Sequence, residues 1–327
     1  MMNVAVIEGG YSHEKEISLL SAQTVHTHLD ASKYRTIRVR IDKEGWFGYT
    51  NEGKMAPINK DDFSVHFEDE RIQFDYAFIV IHGTPGEDGK LQAYFDMMKI
   101  PYNTCSQLLA TLTFNKFVCN RFLSNFDIPV AKAVIVNKGE SVDKDAIIKK
   151  VGLPCFVKPA DGGSSFGVTK VKVKTQLKDA ILLATEDGNG TQALVESFLV
   201  GREVTNGVYK NVNGIQVLPV TEIITKNEFF DFNAKYTGES EEVTPADLPK
   251  EMTIKIQEMT RKVYATLNMT GLARVDYIIV NDVPTVIEIN TVPGQSAASI
   301  VPQMAKVAGI PLSKMFDEII EVSLLEL

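Results

Sequence analysis

Two short stretches of this chain collect side chains suited to handling phosphate. In "KPADGGSSFG", residues 158–167, Lys158 is followed by three glycines and two serines. Glycine lets backbone N–H groups approach an anion closely, and successive N–H groups can form an anion-binding hollow. The second stretch, residues 272–290, reads as two strands about a turn at Asn281-Asp282. Arg274 and Asp276 stand two apart on one strand, Glu288 and Asn290 two apart on the other, so each pair shares a face. Three hard oxygen donors close together suit Mg²⁺, which commonly binds substrate phosphates as well. Arg274 beside them suits an oxyanion. Val275, Ile287 and Ile289 are expected to fill the opposite, apolar face. Taken singly, the first stretch also reads as a surface turn, and the second as a hairpin with one solvated charged face. Together they describe a lysine-led flap over nucleotide phosphates and a hairpin holding the metal that bridges them, which is the equipment of phosphoryl transfer.

Composition removes several other classes. The chain has 327 residues, enough for two or three domains. Hydrophobic residues make up 44% and charged residues 23%, as in soluble globular proteins. A net charge of −8 and a pI near 5.3 argue against nucleic acid or an anionic membrane as the main partner. Apolar runs such as "AFIVI" are far too short to span a bilayer, and no signal peptide is visible. Cys105, Cys119 and Cys155 lack metal-ligand spacing and read as buried thiols of a reducing cytoplasm. No GxSxG, P-loop or Cys/His cluster is present.

The elements that must carry these residues follow from periodicity. "MNVAVIEGG" is an apolar strand running into two glycines, and "HEKEISLLSAQTVHTHL" a helix with its apolar stripe at Ile17, Leu20 and Val25. "YRTIRVRID" and "FDYAFIVIHG" are further strands, the latter ending at His82. Residues 1–104 therefore read as an α/β domain with a parallel, Rossmann-like sheet. Ligands of such sheets sit off the strand carboxyl ends, where Gly9, Gly10, Glu14 and His82 fall. Residues 105–194 read as a smaller α+β unit, with "VTKVKVK" as a strand following the flap. Residues 195–327 read as a third unit, rich in hairpins, with a long polar segment around 226–245 and two closing helices.

At this point the chain resembles the D-alanine–D-alanine ligase family of the ATP-grasp superfamily. The resemblance rests on "EGGYSHEKEISLLSA", "HGTPGEDG", "NKFVCNRFL", "FVKPADGGSSFGV", "LVESFLVGREVT", "FDFNAKY" and "GLARVDYIIV...VIEINTVPG", in order over nearly the whole chain. It implies an ATP-grasp fold, in which the central and C-terminal domains clasp ATP behind the N-terminal one. It further implies ATP and two Mg²⁺ (or Mn²⁺) ions, D-alanine as substrate, a cytoplasmic homodimer, and a product used in peptidoglycan synthesis. Carried over by motif, Lys116 and Lys158 would contact the α- and β-phosphates and Lys235 the γ-phosphate. Glu196, with the backbone of Phe198 and Leu199, would hold adenine, and Glu203 the ribose. Asp276, Glu288 and Asn290 would bind metal. Arg274 and the Gly294 backbone would form the oxyanion site. Glu14 would receive the first ammonium group in a triad with Ser164 and Tyr236, His82 would lie beside the substrates, and Ser299 near the second carboxylate. His82 also suits a strand-end cap, Ser299 a helix N-cap and Tyr236 a packing aromatic. His13, His26, His28 and His66 are expected to be incidental.

The chain departs from the family pattern at Gly163, Ser197, Phe230 and Phe232, none of which is a metal ligand or a phosphate lysine. Tyr236 favours a dipeptide product over a depsipeptide with D-lactate. The Glu14 motif argues against other amino acids, and the intact Arg274–Asn290 set argues against a regulatory module that only binds ATP.

Overall fold

The structure is a computed structural model, and its described residues are 1–68, 70–162, 167–186, 190–225 and 240–325. Strand β1 (Met2–Gly9) carries six consecutive buried residues, as a strand covered on both faces should. It lies between β2 (Tyr34–Asp42) and β7 (Tyr76–Ile79), parallel to both, with α1 (Lys15–His28) as the first crossover. The sheet is not parallel throughout. Strands β3 (Gly45–Tyr49), β4 (Met55–Asn59), β5 (Ser64–Phe67) and β6 (Glu70–Gln73) extend it antiparallel beyond β2, in the order β6-β5-β4-β3-β2-β1-β7. The connections are short loops, and a short loop can only return the chain antiparallel.

The inward face of α1 also differs from expectation. Ser18, Ser21, Ala22 and Val25 are buried, whereas Leu20 is 56% exposed. Gly9 ends β1 at φ +103°, and its N–H finds Ser18 Oγ at 2.9 Å, so a small polar residue is needed where a leucine stripe would pass. A Cβ on Gly9 would meet the Ile41 carbonyl oxygen at 2.6 Å, which keeps this turn glycine.

Helices α2 (Lys90–Met98), α3 (Gln107–Phe114) and α4 (Lys116–Ser124) lead into a second sheet. It contains β8 (Ala133–Asn137), β9 (Cys155–Pro159), β10 (Thr169–Val171) and β11 (Gln192–Ser197), antiparallel in the order β10-β9-β11-β8. Helices α5 (Lys144–Val151) and α6 (Leu177–Thr185) share its core. The strand expected over "VTKVKVK" stops after Val171. Gln176 Oε1 accepts the N–H groups of Lys172 (2.9 Å) and Val173 (3.2 Å) and draws the chain into a 3₁₀ turn. A boundary between residues 194 and 195 would cut β11, which pairs on both edges within this sheet, so we place the boundary after Ser197.

The third sheet holds β12 (Arg202–Asn211), β13 (Gly214–Thr225), β14 (Ser240–Val243), β15 (Ala273–Val280) and β16 (Val283–Asn290), ordered β14-β13-β12-β15-β16. Helix α7 (Lys250–Thr266) packs on it. Asn281 and Asp282 adopt φ +47° and +61°, the left-handed pair that a two-residue hairpin turn requires. The closing helices α8 (Ile300–Val307) and α9 (Leu312–Leu325) join the first sheet and the third in one core. There Phe316 meets Phe78 edge to face at 5.4 Å, and Val4, Val25, Tyr209 and Met304 surround them.

Phe316→Ala would leave a cavity at this joint, and we expect a loss of about 3–5 kcal/mol in urea unfolding. A loss below about 1 kcal/mol would mean that the two units do not share a load there.

Candidate active site

The third sheet sets Asp276 opposite Glu288 and Arg274 opposite Asn290. The register shifts just beyond Asp276, because Ile287 is an extra residue on β16. Ile287 therefore does not join the apolar back of the hairpin as expected, but lines the cavity beside Glu288. Arg274 grips Asp276 twice, Nε to Oδ1 at 2.9 Å and Nη2 to Oδ2 at 2.8 Å. Asp276 also accepts from Asn290 Nδ2 (2.9 Å) and Thr205 Oγ1 (2.5 Å). Burial alone would lower the Arg274 pKa, but the carboxylates of Asp276 and Glu288 outweigh it and raise it.

This row floors a cavity of about 910 Å³. The second sheet supplies Lys158, whose Nζ lies 2.5 Å from Glu196 Oε1. Glu196 is buried, and among the described residues its Oε2 has no hydrogen-bond partner. Lys116 at the start of α4 donates to the Gly162 carbonyl at 2.5 Å and lies 3.3 Å from Glu288 Oε1. Burial would lower its pKa, but Glu288 reverses this, so the amine is held charged. Phe198, Leu199 and Glu203 also line it. Phe198 meets Phe156 at 5.6 Å, and Lys170 lies 4.0 Å over its ring.

A smaller cavity of about 300 Å³ shares Glu14, Lys116, Arg274 and Glu288 with the large one. Glu14 enters it from the N-terminus of α1, where its backbone N–H donates to Ser12 Oγ at 3.2 Å. His82 is buried, with Nδ1 2.7 Å from the Val292 carbonyl and Nε2 3.5 Å from Ser21 Oγ. Burial lowers its pKa, so the ring is neutral and Nδ1–H donates to Val292. Glu87 completes the clasp: it accepts from the N–H groups of Gly83 (2.7 Å) and Val292 (3.2 Å). Burial, assisted by the Glu14 charge, pushes its carboxyl up to about 7. A Cβ on Gly294 would meet Ser299 Oγ at 2.6 Å, so glycine there permits the close approach of loop and helix. Ser299 does occupy the N-cap position of α8, yet its hydroxyl caps no N–H and pairs with Ser296 Oγ at 2.7 Å.

The family described as D-ala D-ala ligase N-terminus matches residues 3–105, and that described as D-ala D-ala ligase C-terminus matches residues 122–321. The chain belongs to the D-alanine–D-alanine ligase family. It is 45% identical over 324 residues to the D-alanine--D-alanine ligase of Flavobacterium johnsoniae, covering 99% of this chain and 100% of that one. With the ligase of Phocaeicola vulgatus it shares 43% over 319 residues, 97% of this chain and 98% of the other. Among solved structures, D-alanyl-alanine synthetase A from Vibrio cholerae superposes with a TM-score of 0.88 at 26% identity, covering 99% and 98% of the two chains. The VanG D-Ala:D-Ser ligase from Enterococcus faecalis gives 0.86 at 32% identity, covering 98% and 99%. The ligase from Bacillus anthracis complexed with ATP gives 0.79 at 28%, covering 99% and 98%. The fold is the ATP-grasp fold of this family.

Of the family positions expected from sequence, Glu14, Lys116, Lys158, Glu196, Phe198, Leu199, Glu203, Arg274, Asp276 and Glu288 line the large cavity. His82, Asn290, Gly294 and Ser299 line the small one. Ser164, Lys235 and Tyr236 lie outside the described residues. His13, expected to be incidental, stands at the mouth of the ligase's large cavity. Glu87 and Glu242, which line the small cavity, were not anticipated. The motif "HGTPGEDG" carried a signal for Glu87, since a carboxylate four residues after a turn glycine can bond back to its N–H.

The Glu87 carboxyl has a measurable signature. Its folded value exceeds the ordinary 4.5, so unfolding releases its proton between those values and stability falls as pH rises through that window. Glu87→Gln removes this contribution. We expect the stability gap between variant and parent to narrow between about pH 5 and about pH 8 in urea titrations. A constant gap would place Glu87 at its ordinary value.

Proposed function

We propose that the two cavities are the nucleotide and amino-acid chambers of an ATP-dependent ligase that joins two D-alanines into D-alanyl-D-alanine for peptidoglycan synthesis. The observation that carries this is the Arg274–Asp276–Glu288 row at the place where the two chambers meet.

The large chamber carries groups suited to each part of ATP. Glu196 Oε2, without a hydrogen-bond partner among the described residues, is an acceptor suited to the adenine amino group, with Phe198 and Leu199 in the same lining and Glu203 suited to the ribose. Lys158 and Lys116 line the chamber as cations suited to the phosphates, and the family resemblance adds Lys235 to them. Asp276, Glu288 and Asn290 are hard oxygen donors on one row. Asp276 and Glu288 partner Arg274 and Lys116, cations that stand where a divalent ion would also be attracted, and Asn290 donates to Asp276. Two Mg²⁺ ions, or Mn²⁺, would be held by these three residues and would neutralise phosphate charge there. The same reading includes a cytoplasmic homodimer. No described helix is long and apolar enough to cross a membrane.

The first D-alanine places its ammonium at Glu14, whose opposite charge offsets desolvation. The family resemblance assigns Ser164 and Tyr236 to the same task. The carboxylate attacks the γ-phosphorus, the β–γ bridge breaks, and ADP and an acyl phosphate form. The second D-alanine, its carboxylate near Ser299, gives up one ammonium proton, attacks the acyl carbon as the free amine and passes a second proton to the departing phosphate. The tetrahedral oxyanion is met by Arg274 and the Gly294 N–H, and phosphate leaves with one carboxyl oxygen. His82 and Glu87 hold the Val292 loop, and with it Gly294, in place. The acyl phosphate must be kept from water, and the family resemblance gives that task to the flap and the 226–245 segment.

Phosphate release from MgATP with D-alanine, with products identified by mass, tests the reading. D-alanyl-D-alanine equimolar with phosphate is expected, and phosphate without dipeptide would overturn it. Arg274→Ala should lower kcat by about 10²–10³-fold, as loss of an oxyanion donor does. An unchanged kcat would remove Arg274 from the reaction.

A further inference from the structure

Strand β14 carries a carboxylate that the reaction so far does not use. Glu242 stands directly across from Ile223 of β13, Ile223 across from Glu203 of β12, and Glu203 across from Ile278 of β15. Residues paired across antiparallel strands point to one face, and Ile278 shares its face with Arg274 and Asp276 by period 2. The pairing thus puts Glu242 on the cavity face of the sheet. There it is half-buried and lines the small chamber with Glu14, Arg274 and Ser299. Its Oε2 accepts from Gln303 Nε2 at 3.3 Å. Gln303 follows Ser299 by four residues on α8, so the helix brings the Ser299 hydroxyl and the Glu242 carboxylate to one side of the chamber.

The chamber must take two zwitterions, and each brings an ammonium group whose desolvation is costly without a counter-charge. Glu14 serves the first. Asp276 and Glu288 are engaged by Arg274 and Lys116. Glu87 is committed to two backbone N–H groups that hold loops together. Glu242 is bonded through a neutral amide, which fixes its position without cancelling its charge. We propose that Glu242 recognises the ammonium group of the second amino acid and thereby selects a zwitterionic acceptor over a hydroxy acid. The inference rests on the ligase reading. Acceptor choice is a property that varies on this fold, since one solved neighbour is named a D-Ala:D-Ser ligase.

The test sets D-alanine against D-lactate as acceptors at fixed MgATP, and quantifies dipeptide and depsipeptide by mass for the parent, Glu242→Gln and Glu242→Asp. Glu242→Gln keeps the shape and the Gln303 contact but removes the charge. We expect it to raise the second-site KM for D-alanine about 10-fold or more, with the KM for ATP unchanged, and to shift product toward depsipeptide by a similar factor. Glu242→Asp keeps the charge and should hold the parent ratio within about 3-fold. An unmoved product ratio in Glu242→Gln, or an equal fall of both products, would overturn the inference while leaving the ligase reading intact. A parent that makes no dipeptide would overturn both.

Discussion

Arg274 and Asp276 hold each other by two hydrogen bonds at the floor of the large cavity, and neither charge could stay there alone. Much of the architecture serves that pair. The tight turn at Asn281-Asp282 fixes the register that sets Glu288 and Asn290 against it. The extra residue at Ile287 turns a greasy side chain into the cavity beside the charges, and Thr205 on β12 closes the remaining side of Asp276. Arg274 lines both chambers, so the pair lies where they join.

The chambers depend on how three sheets are tied. Helices α8 and α9 join the first sheet to the third in one core, and Tyr209 and Tyr34 reinforce the joint through Glu318 and Asp317. The second sheet engages α4 through polar links. The Lys116 N–H donates to the Ala160 carbonyl at 2.9 Å, and Asn115 Nδ2 to Asp161 Oδ1 at 2.6 Å. These links set the root of the glycine flap on the N-terminus of α4, where Lys116 also reaches Glu288.

Much of this could be read from the residues because the signals were periodic or ordered. The hairpin at 272–290 was legible from its alternation, and the ligase resemblance from seven motifs in sequence. The β3–β6 wing was not, because short strands between tight turns lack the long apolar runs that mark buried parallel strands. The bulge at Ile287 has no glycine or proline to announce it, so simple alternation placed that side chain on the wrong face. Leu20 looked like core, and the inward place of Ser18 could not be read, because the demand of the Gly9 N–H is a tertiary fact. Glu87 and Glu242 are single carboxylates whose roles come from Val292 and Gln303, partners remote in sequence.

The central claim is that the carboxylate of one D-alanine attacks the γ-phosphate before any peptide bond forms. D-alanine labelled with ¹⁸O in both carboxyl oxygens tests this directly, by mass analysis of the phosphate released on turnover with MgATP. The account predicts one ¹⁸O atom in each phosphate formed with each dipeptide. Dipeptide formed with unlabelled phosphate would contradict it.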